Sequence, residues 1–96
     1  MEMKMGNYET IFVINPSLTD EEVAAVSEKF QKIISKNGEI VKVDDWGLRK
    51  LAYEIDDKTE GHYVLVEFKA PGDFIKELER RYRITDAIMR SIVIRK

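Results

Sequence analysis

The chain has 96 residues, 44% of them hydrophobic and 35% charged, a composition that supports one compact domain over residues 1–96. It contains no cysteine, which excludes disulfides and cysteine-based metal sites, and no apolar run long enough to span a bilayer. The start, MEMKMGNYE, lacks the apolar core of a signal peptide, so we expect a cytoplasmic protein whose residues 1–6 are flexible.

The first half of the chain predicts a strand and a helix. Residues 7–15 are rich in aromatic and β-branched side chains, which is typical of a strand, and Pro16 ends it. Thr19 and Glu22 form a capping box with acidic residues in the first turn, so a helix begins there. The apolar face of this helix recurs at Val23, Val26, Phe30, Ile33 and Ile34, before the Asn-Gly that ends it.

The remaining elements complete a β-α-β-β-α-β order. A second strand is predicted over 39–55, with an irregularity at Gly47, and a polar turn over 56–61 leads into a third strand at 62–68. A second helix begins after Pro71, and a last strand covers 87–95. Right-handed crossovers place both helices on one face, which predicts a ferredoxin-like α+β sandwich with a four-stranded antiparallel sheet.

Alternation along the strands divides their side chains between the two faces of this sheet. We expect the helices to cover Phe12, Ile14, Val64, Val66 and Phe68, and to leave Ile11, Val13, Tyr63 and Leu65 uncovered. In the second strand, Leu51, Tyr53 and Ile55 are predicted to face the core. Trp46, Leu48 and Lys50 then fall on the other face, unless a bulge at Gly47 shifts the alternation.

The charges allow two interpretations at two places. On the edge formed by the second strand, Arg49 and Lys50 either prevent unwanted strand pairing or bind a protein or phosphate, and composition does not decide between them. Residues 80–96 carry a net charge of +5, so the rest of the chain carries −7. This asymmetry can steer an anionic partner, although for Arg80, Arg81 and Arg83 we favour a role at a helix C-terminus.

Four segments resemble the family of the sixth small-subunit protein of the bacterial ribosome: YETIFVINPSLTDEEV (8–23), WGLRKLAYEI (46–55), GHYVLVEFKAP (61–71) and RITDAIMRSIVIRK (83–96). They span nearly the whole chain in the family's order and spacing, and GLRKLAY at 47–53 is the most specific of them. The resemblance implies the same ferredoxin-like fold. It also implies a structural ribosomal protein without catalysis, cofactor, metal or small-molecule substrate, and without a membrane.

The resemblance further implies binding to the central domain of 16S-type ribosomal RNA, cooperatively with ribosomal protein eighteen of the same subunit, by a chain that is monomeric when isolated. The family's RNA-contacting region corresponds here to Lys4, Tyr8, Arg90, Arg95 and Lys96. Its protein-binding edge corresponds to Trp46, Leu48, Arg49 and Lys50. The cations would meet phosphates, and Tyr8 would offer a stacking ring or a hydroxyl. Many members have basic residues directly before this tyrosine, whereas here Gly-Asn stands there. Either Lys4 substitutes for them from further out, or the RNA contact at this end is weaker.

Other functions remain as alternatives. Acyl-phosphate hydrolysis on this fold needs an arginine-bearing phosphate loop, whereas NPSLTDE is acidic, and His62 has no evident catalytic partner. Asp56, Asp57 and Glu60 could form a metal loop, although acids in a turn usually face water. A homodimeric or ligand-binding module would pair through the uncovered face or the long edge. The aromatic pattern of RNA-recognition domains is missing from GHYVLVEF.

Overall fold

The computed structural model describes residues 5–55 and 58–96, with side chains described outside 52–58. Four strands, β1 (Met5–Ile14), β2 (Glu39–Ile55), β3 (Lys58–Pro71) and β4 (Ile88–Arg95), alternate with two helices, α1 (Asp20–Asn37) and α2 (Gly72–Ile84). The strands form one sheet in the order β2-β3-β1-β4, and every neighbouring pair is antiparallel. The predicted ferredoxin-like architecture is therefore confirmed. No helix in the described part of the chain is long and apolar enough to cross a membrane.

Helix α1 begins where the capping box predicts. The Glu22 amide donates a hydrogen bond to Thr19 Oγ1 at 3.2 Å, and the Thr19 amide donates to Glu22 Oε1 at 3.1 Å. Each bond satisfies a backbone donor that a helix start would otherwise leave unpaired. The buried face of α1 consists of Val23, Ser27, Phe30 and Ile34, while Val26 and Ile33 are only half-buried at its margins.

The core lies between the sheet and both helices, and a cluster of aromatic rings joins its layers. Phe12 from β1, Phe30 from α1 and Tyr82 from α2 lie with ring centroids 4.6–5.6 Å apart. The five strand residues predicted for this side are all buried here: Phe12, Ile14, Val64, Val66 and Phe68. Since aromatic side chains bury the largest apolar area per residue, this cluster contributes much of the packing free energy.

Two hydroxyl groups, those of Thr10 and Tyr82, meet inside that core. Thr10 Oγ1 lies 3.1 Å from the Ile92 carbonyl and 3.0 Å from the Tyr82 hydroxyl. A carbonyl only accepts, so the single hydroxyl hydrogen of Thr10 goes to Ile92 and Tyr82 donates to Thr10. Burial raises the pKa of the Tyr82 phenol, and the bond to Thr10 offsets part of that rise. The three residues connect β1, β4 and α2.

The uncovered face of the sheet is less exposed than predicted. Val13 and Leu65 were expected to be open on this face, but both are buried. A Cβ placed on Gly61 would clash with Val13 and would lie 3.4 Å from Leu51, so both side chains extend over this glycine. The prediction that Leu51 faces the helices is therefore wrong, because it packs beside Val13 on the opposite face. Tyr53 and Ile55 lie outside the residues whose side chains are described.

Two boundaries also differ from the predictions. The polar turn expected over 56–61 is shorter, because β3 already begins at Lys58 and Glu60 pairs with Lys50 across the hairpin. At the N-terminus, β1 begins at Met5 instead of residue 7, and Met5 and Gly6 pair with Pro71 and Ala70 in the ladder between β1 and β3. The flexibility expected for residues 1–6 stays a prediction. The polar residues correctly indicated where the hairpin turn lies. Backbone pairing between the long strands nevertheless extends further than the side chains suggest.

Substitutions at the buried hydroxyl pair should have unequal effects on stability. Tyr82→Phe removes a donor but leaves Thr10 bonded to Ile92, so we expect a loss of about 1 kcal/mol in unfolding free energy. Thr10→Val leaves the Tyr82 hydroxyl and the Ile92 carbonyl without this buried partner, so we expect a larger loss, about 2–3 kcal/mol. Urea unfolding of both variants and of the double variant checks the order. Equal losses for the two single variants would contradict the assigned direction of the bonds.

The last turns of α2 contain an ion cluster that should be visible in a pH titration. Arg80 and Arg81 both donate to Glu77, at 2.9–3.2 Å, and these hydrogen bonds lower the pKa of Glu77 from 4.5 to about 2. A lowered folded-state pKa stabilises the fold above the unfolded pKa. The stability difference between the wild type and Glu77→Gln should therefore hold at neutral pH and disappear between about pH 4.5 and 2. A carboxyl titration by NMR with a midpoint near 4.5 would contradict it.

Candidate RNA and protein interface

Strand β2 forms one edge of the sheet, and two irregularities decide which side chains face which way. Its pairing with β3 shifts between Ile40 and Lys42 and again between Asp45 and Gly47. Gly47 has φ +71°, in the left-handed region that favours glycine, so the expected irregularity is a bulge. A bulge inserts an extra residue and reverses the alternation that follows it.

This reversal divides the four predicted protein-binding residues between the two faces. Trp46 stacks on Tyr63, with ring centroids 6.1 Å apart and planes 18° apart, and Arg49 pairs with Gly61; both belong to the uncovered face. Leu48 pairs with His62 and therefore points to the side of the sheet that carries the helices, as does Lys50. Without the bulge, Trp46, Leu48 and Lys50 would have shared one face, as the simple alternation predicted.

Local hydrogen bonds hold the bulged segment in place. The Trp46 indole N–H donates to Asp44 at 3.0 Å, and the Gly47 amide donates to Asp45 at 2.8 Å. Arg49 Nε donates to the Trp46 carbonyl at 3.1 Å, which orients its guanidinium along the edge. Trp46, Arg49, Lys50 and Tyr63 together line a shallow concavity of about 420 Å³. On the uncovered face, the arrangement presents an aromatic surface beside the Arg49 cation, while Lys50 belongs to the other side of the strand.

A second, smaller concavity of about 170 Å³ continues across the uncovered face from Tyr63. Arg90 lines it from β4, next to the exposed Ile92. Arg95 is the other arginine of β4, and it pairs with Tyr8, on the helix-bearing side of the sheet. The two arginines predicted to meet RNA are thus on opposite faces of one edge strand, so a single flat contact cannot include both.

Lys96 follows β4 and is held by acids. Its ammonium pairs with Glu67 and lies 4.0 Å from Glu9, while its backbone amide donates to the Asn7 carbonyl at 2.8 Å. The hydrogen bond from Lys96 lowers the pKa of Glu67, and the same bond raises the pKa of Lys96. A phosphate that approached Lys96 would therefore compete with a carboxylate.

Tyr8 occupies a different environment from the one that a stacking role requires. Its side chain is only 7% exposed and belongs to the core, with its ring 5.7 Å from that of Phe68. Phe68 already covers one ring face, so Tyr8 would have to leave the core to stack on a base. Lys4 lies outside the described residues.

The sequence did not indicate two pairings in this region. Trp46 and Tyr63 are 17 positions apart, and only the register of β2 against β3 brings their rings together. Asp45 Oδ1 lies 2.8 Å from His62 Nε2, on the helix side of the hairpin, although the two groups are not aligned as a hydrogen bond. Within residues 5–55 and 58–96, no group of three or more histidine, aspartate or glutamate side chains is arranged to hold a metal ion. Asp56 and Asp57 of the possible metal loop lie outside the description.

Comparisons with known proteins agree on one family. The family model described as ribosomal protein S6 matches residues 7–95. Small ribosomal subunit protein bS6 of Clostridium novyi is 52% identical over 91 residues, which cover 94% of this chain and 96% of that protein. The bS6 protein of Caldanaerobacter subterraneus is 48% identical over 92 residues, covering 95% of this chain and 97% of the relative.

A solved structure supports the same conclusion. The crystal structure of 30S ribosomal protein S6 from Thermotoga maritima superposes with a TM-score of 0.91 at 39% identity, covering 97% of this chain and 89% of that one. Sequence and fold therefore agree over nearly the full length. The chain belongs to the ribosomal protein S6 family and is a non-enzymatic constituent of the small subunit of the cytoplasmic ribosome.

Proposed function

We propose that this chain binds the central domain of small-subunit ribosomal RNA cooperatively with ribosomal protein eighteen of the same subunit, and that the edge strand β2 is the protein-binding surface. The observation that carries the proposal is the bulged segment 45–50. It holds an exposed tryptophan and a hydrogen-bonded arginine on one side of the strand edge, and a leucine and a lysine on the other.

This edge has the composition of a protein interface. Trp46 is 37% exposed and Leu48 is 56% exposed, so a partner that covers both would remove considerable apolar surface from water. Tryptophan and arginine are enriched among the residues that dominate binding energy in protein complexes. Because Trp46 and Leu48 lie on opposite faces of the sheet, we expect the partner to contact both faces of the β2 edge rather than a single face.

The RNA contact is proposed for the other edge of the sheet. Arg95 and Arg90 point to opposite sides of β4, so they would meet two different stretches of backbone or the two sides of a groove. Lys96 would reach phosphate only by leaving Glu67, and Lys4 would add a charge from the N-terminal side. Tyr8 would support RNA binding from within the core, either by holding the first half of β1 in position or by offering its hydroxyl as a hydrogen-bonding group.

The acidic surface elsewhere agrees with cooperative binding. The whole chain has a formal net charge of −2, so its long-range attraction for RNA is weak. A second protein bound to the β2 edge would bring further RNA contacts within reach and would raise the effective concentration of the cations on β4. We expect the isolated chain to be monomeric and to bind RNA weakly, and the pair to bind tightly.

Charge reversal on the edge tests the protein-binding surface. We expect ribosomal protein eighteen to tighten binding to a central-domain RNA fragment by about 5- to 150-fold, the usual range of coupling between sites. Arg49→Glu with Lys50→Glu should abolish most of this gain, because both cations leave the interface, while binding of the chain alone changes little. The measurement is titration of the RNA fragment with and without the partner.

Lys69→Glu with Lys76→Glu is the matched control for that experiment, since it makes the same change in charge at exposed positions outside the bulged segment 45–50. A similar loss in both double variants would indicate a general effect of charge and would argue against the edge. If the partner gives no gain with the wild type, the proposed function itself fails for this chain.

The acidic partner of Lys96 provides a second test, in the opposite direction. Glu67→Gln removes the carboxylate that holds the Lys96 ammonium, so we expect the pair to bind RNA about two- to fivefold more tightly, the size of effect expected for an exposed charge pair. Glu21→Gln, an equal change of charge on the exposed start of α1, should leave the affinity nearly unchanged. Weaker or unchanged binding of Glu67→Gln would remove Lys96 from the RNA contact.

A further inference from the structure

The helical layer carries a basic surface that neither the β2 edge nor the β4 edge includes. A concavity of about 480 Å³ lies between the two helices, lined by Ala25, Glu28, Lys29, Lys32, Ile33, Lys36 and Arg81. We call it the interhelix groove. Four of its seven lining residues are cations, its one acid is Glu28, and its floor includes the half-buried Ile33.

The lysines form one stripe along α1. Lys29, Lys32 and Lys36 are spaced three and four residues apart, which places them on the same face, and a rise of 1.5 Å per residue gives a span of about 10 Å. Residues 20–28 of this helix carry a net charge of −4, whereas residues 29–37 carry +3 without a single acid. The stripe therefore concentrates positive charge at the end of α1 that adjoins Arg81.

Compensation of the helix dipole accounts for only part of this stripe. Cations near a helix C-terminus are stabilising, but the effect is confined to the last turn, which contains Lys36 and not Lys29 or Lys32. Like charges three or four residues apart on a helix repel each other, so the stripe is unfavourable for the free protein. Compensation of the helix dipole therefore does not account for Lys29 and Lys32.

Existing ion pairs leave positive charge in the groove. Lys32 pairs with Glu28 at 3.1 Å, and Arg81 shares Glu77 with Arg80. Neither Lys29 nor Lys36 has a carboxylate within ion-pair distance among the residues that the structure describes. The Lys29 ammonium lies 5.7 Å from the centroid of the Phe30 ring, a contact that leaves its charge unneutralised. Two lysines without a carboxylate partner in the described part of the chain thus lie beside two cations that are already held by acids.

We propose that the interhelix groove binds the phosphate backbone of RNA, without reading its sequence, as a second RNA contact on the face opposite the uncovered sheet. Choosing RNA as the anion rests on the proposed function, which brings the chain against ribosomal RNA. A lysine carries a compact charge at the end of a flexible side chain, so a row of lysines can follow a row of phosphates. The methylene groups of these side chains can pack on the apolar residues of the groove. Such a contact adds affinity and salt dependence but no base preference.

The salt dependence of binding tests this proposal. For Lys29→Gln with Lys36→Gln, we expect the slope of log K against log salt for the protein pair on its RNA fragment to become shallower by about 1.4 to 1.8, since two phosphate contacts are lost. Lys69→Gln with Lys76→Gln removes the same charge outside the groove and should leave the slope unchanged. Both double variants should keep the wild-type gain from ribosomal protein eighteen and the wild-type circular dichroism.

A second measurement separates this inference from the proposed function. The isotope-labelled chain alone is titrated with a short single-stranded oligoribonucleotide, and amide shifts are expected at Lys29, Lys32, Lys36 and Arg81. If these amide shifts occur but ribosomal protein eighteen does not tighten RNA binding, the proposed function is overturned and RNA binding by the groove is supported. Normal partner cooperativity with equal slopes for both double variants, or with no shifts in the groove, would overturn the groove alone. Equal shifts with polyglutamate would overturn RNA as its ligand.

Discussion

The bulge at residues 45–47 decides which side chains of β2 lie on each face of the sheet. Gly47 adopts a left-handed conformation, and the extra residue reverses the alternation of everything after it in β2. Trp46 can then stack on Tyr63, and Leu51 can extend over Gly61 to cover Val13. The same device therefore creates an exposed aromatic at the edge and closes part of the sheet face that the helices leave open. The proposed interface and the packing of the open sheet face therefore depend on one backbone feature.

The proposed RNA-binding role is compatible with the net charge of −2, because positive and negative charges occupy separate parts of the surface. Acids dominate the start of α1 and occupy one end of the uncovered face, where Glu9 and Glu67 hold Lys96. Cations gather at Arg49 and Lys50 of β2, on β4 and between the helices. Salt screens charges beyond about one Debye length, so a partner close to the surface responds to the local charges and not to the net charge of the whole chain. Lys96 is paired with Glu67 and lies near Glu9, so this part of the surface attracts anions less than the cation alone would.

The two edges proposed for the partner protein and for RNA are separated by the two central strands. Strands β3 and β1 lie between β2 and β4, so a partner on one edge does not obstruct the other. This geometry fits assembly in which one protein arranges a second protein and RNA at the same time. Coupling between the edges then needs no conformational change in the sheet, because linking the components raises their effective concentrations. The buried bonds of Thr10 to Tyr82 and Ile92 keep β4 in register with the rest of the molecule.

The sequence by itself determined the element order, the capping box at Thr19, the helix-facing core and the family, because these follow from periodicity, local capping chemistry and motif spacing. Only the tertiary structure decided the facing of Leu51, the burial of Val13 and the division of the edge into two sides, since one extra residue in a strand changes every later side chain. The burial of Tyr8 and the capture of Lys96 by Glu67 likewise depend on neighbours that are remote in sequence. Local patterns do not encode which distant side chains meet, and that is what decides whether a given cation or ring is available to a partner.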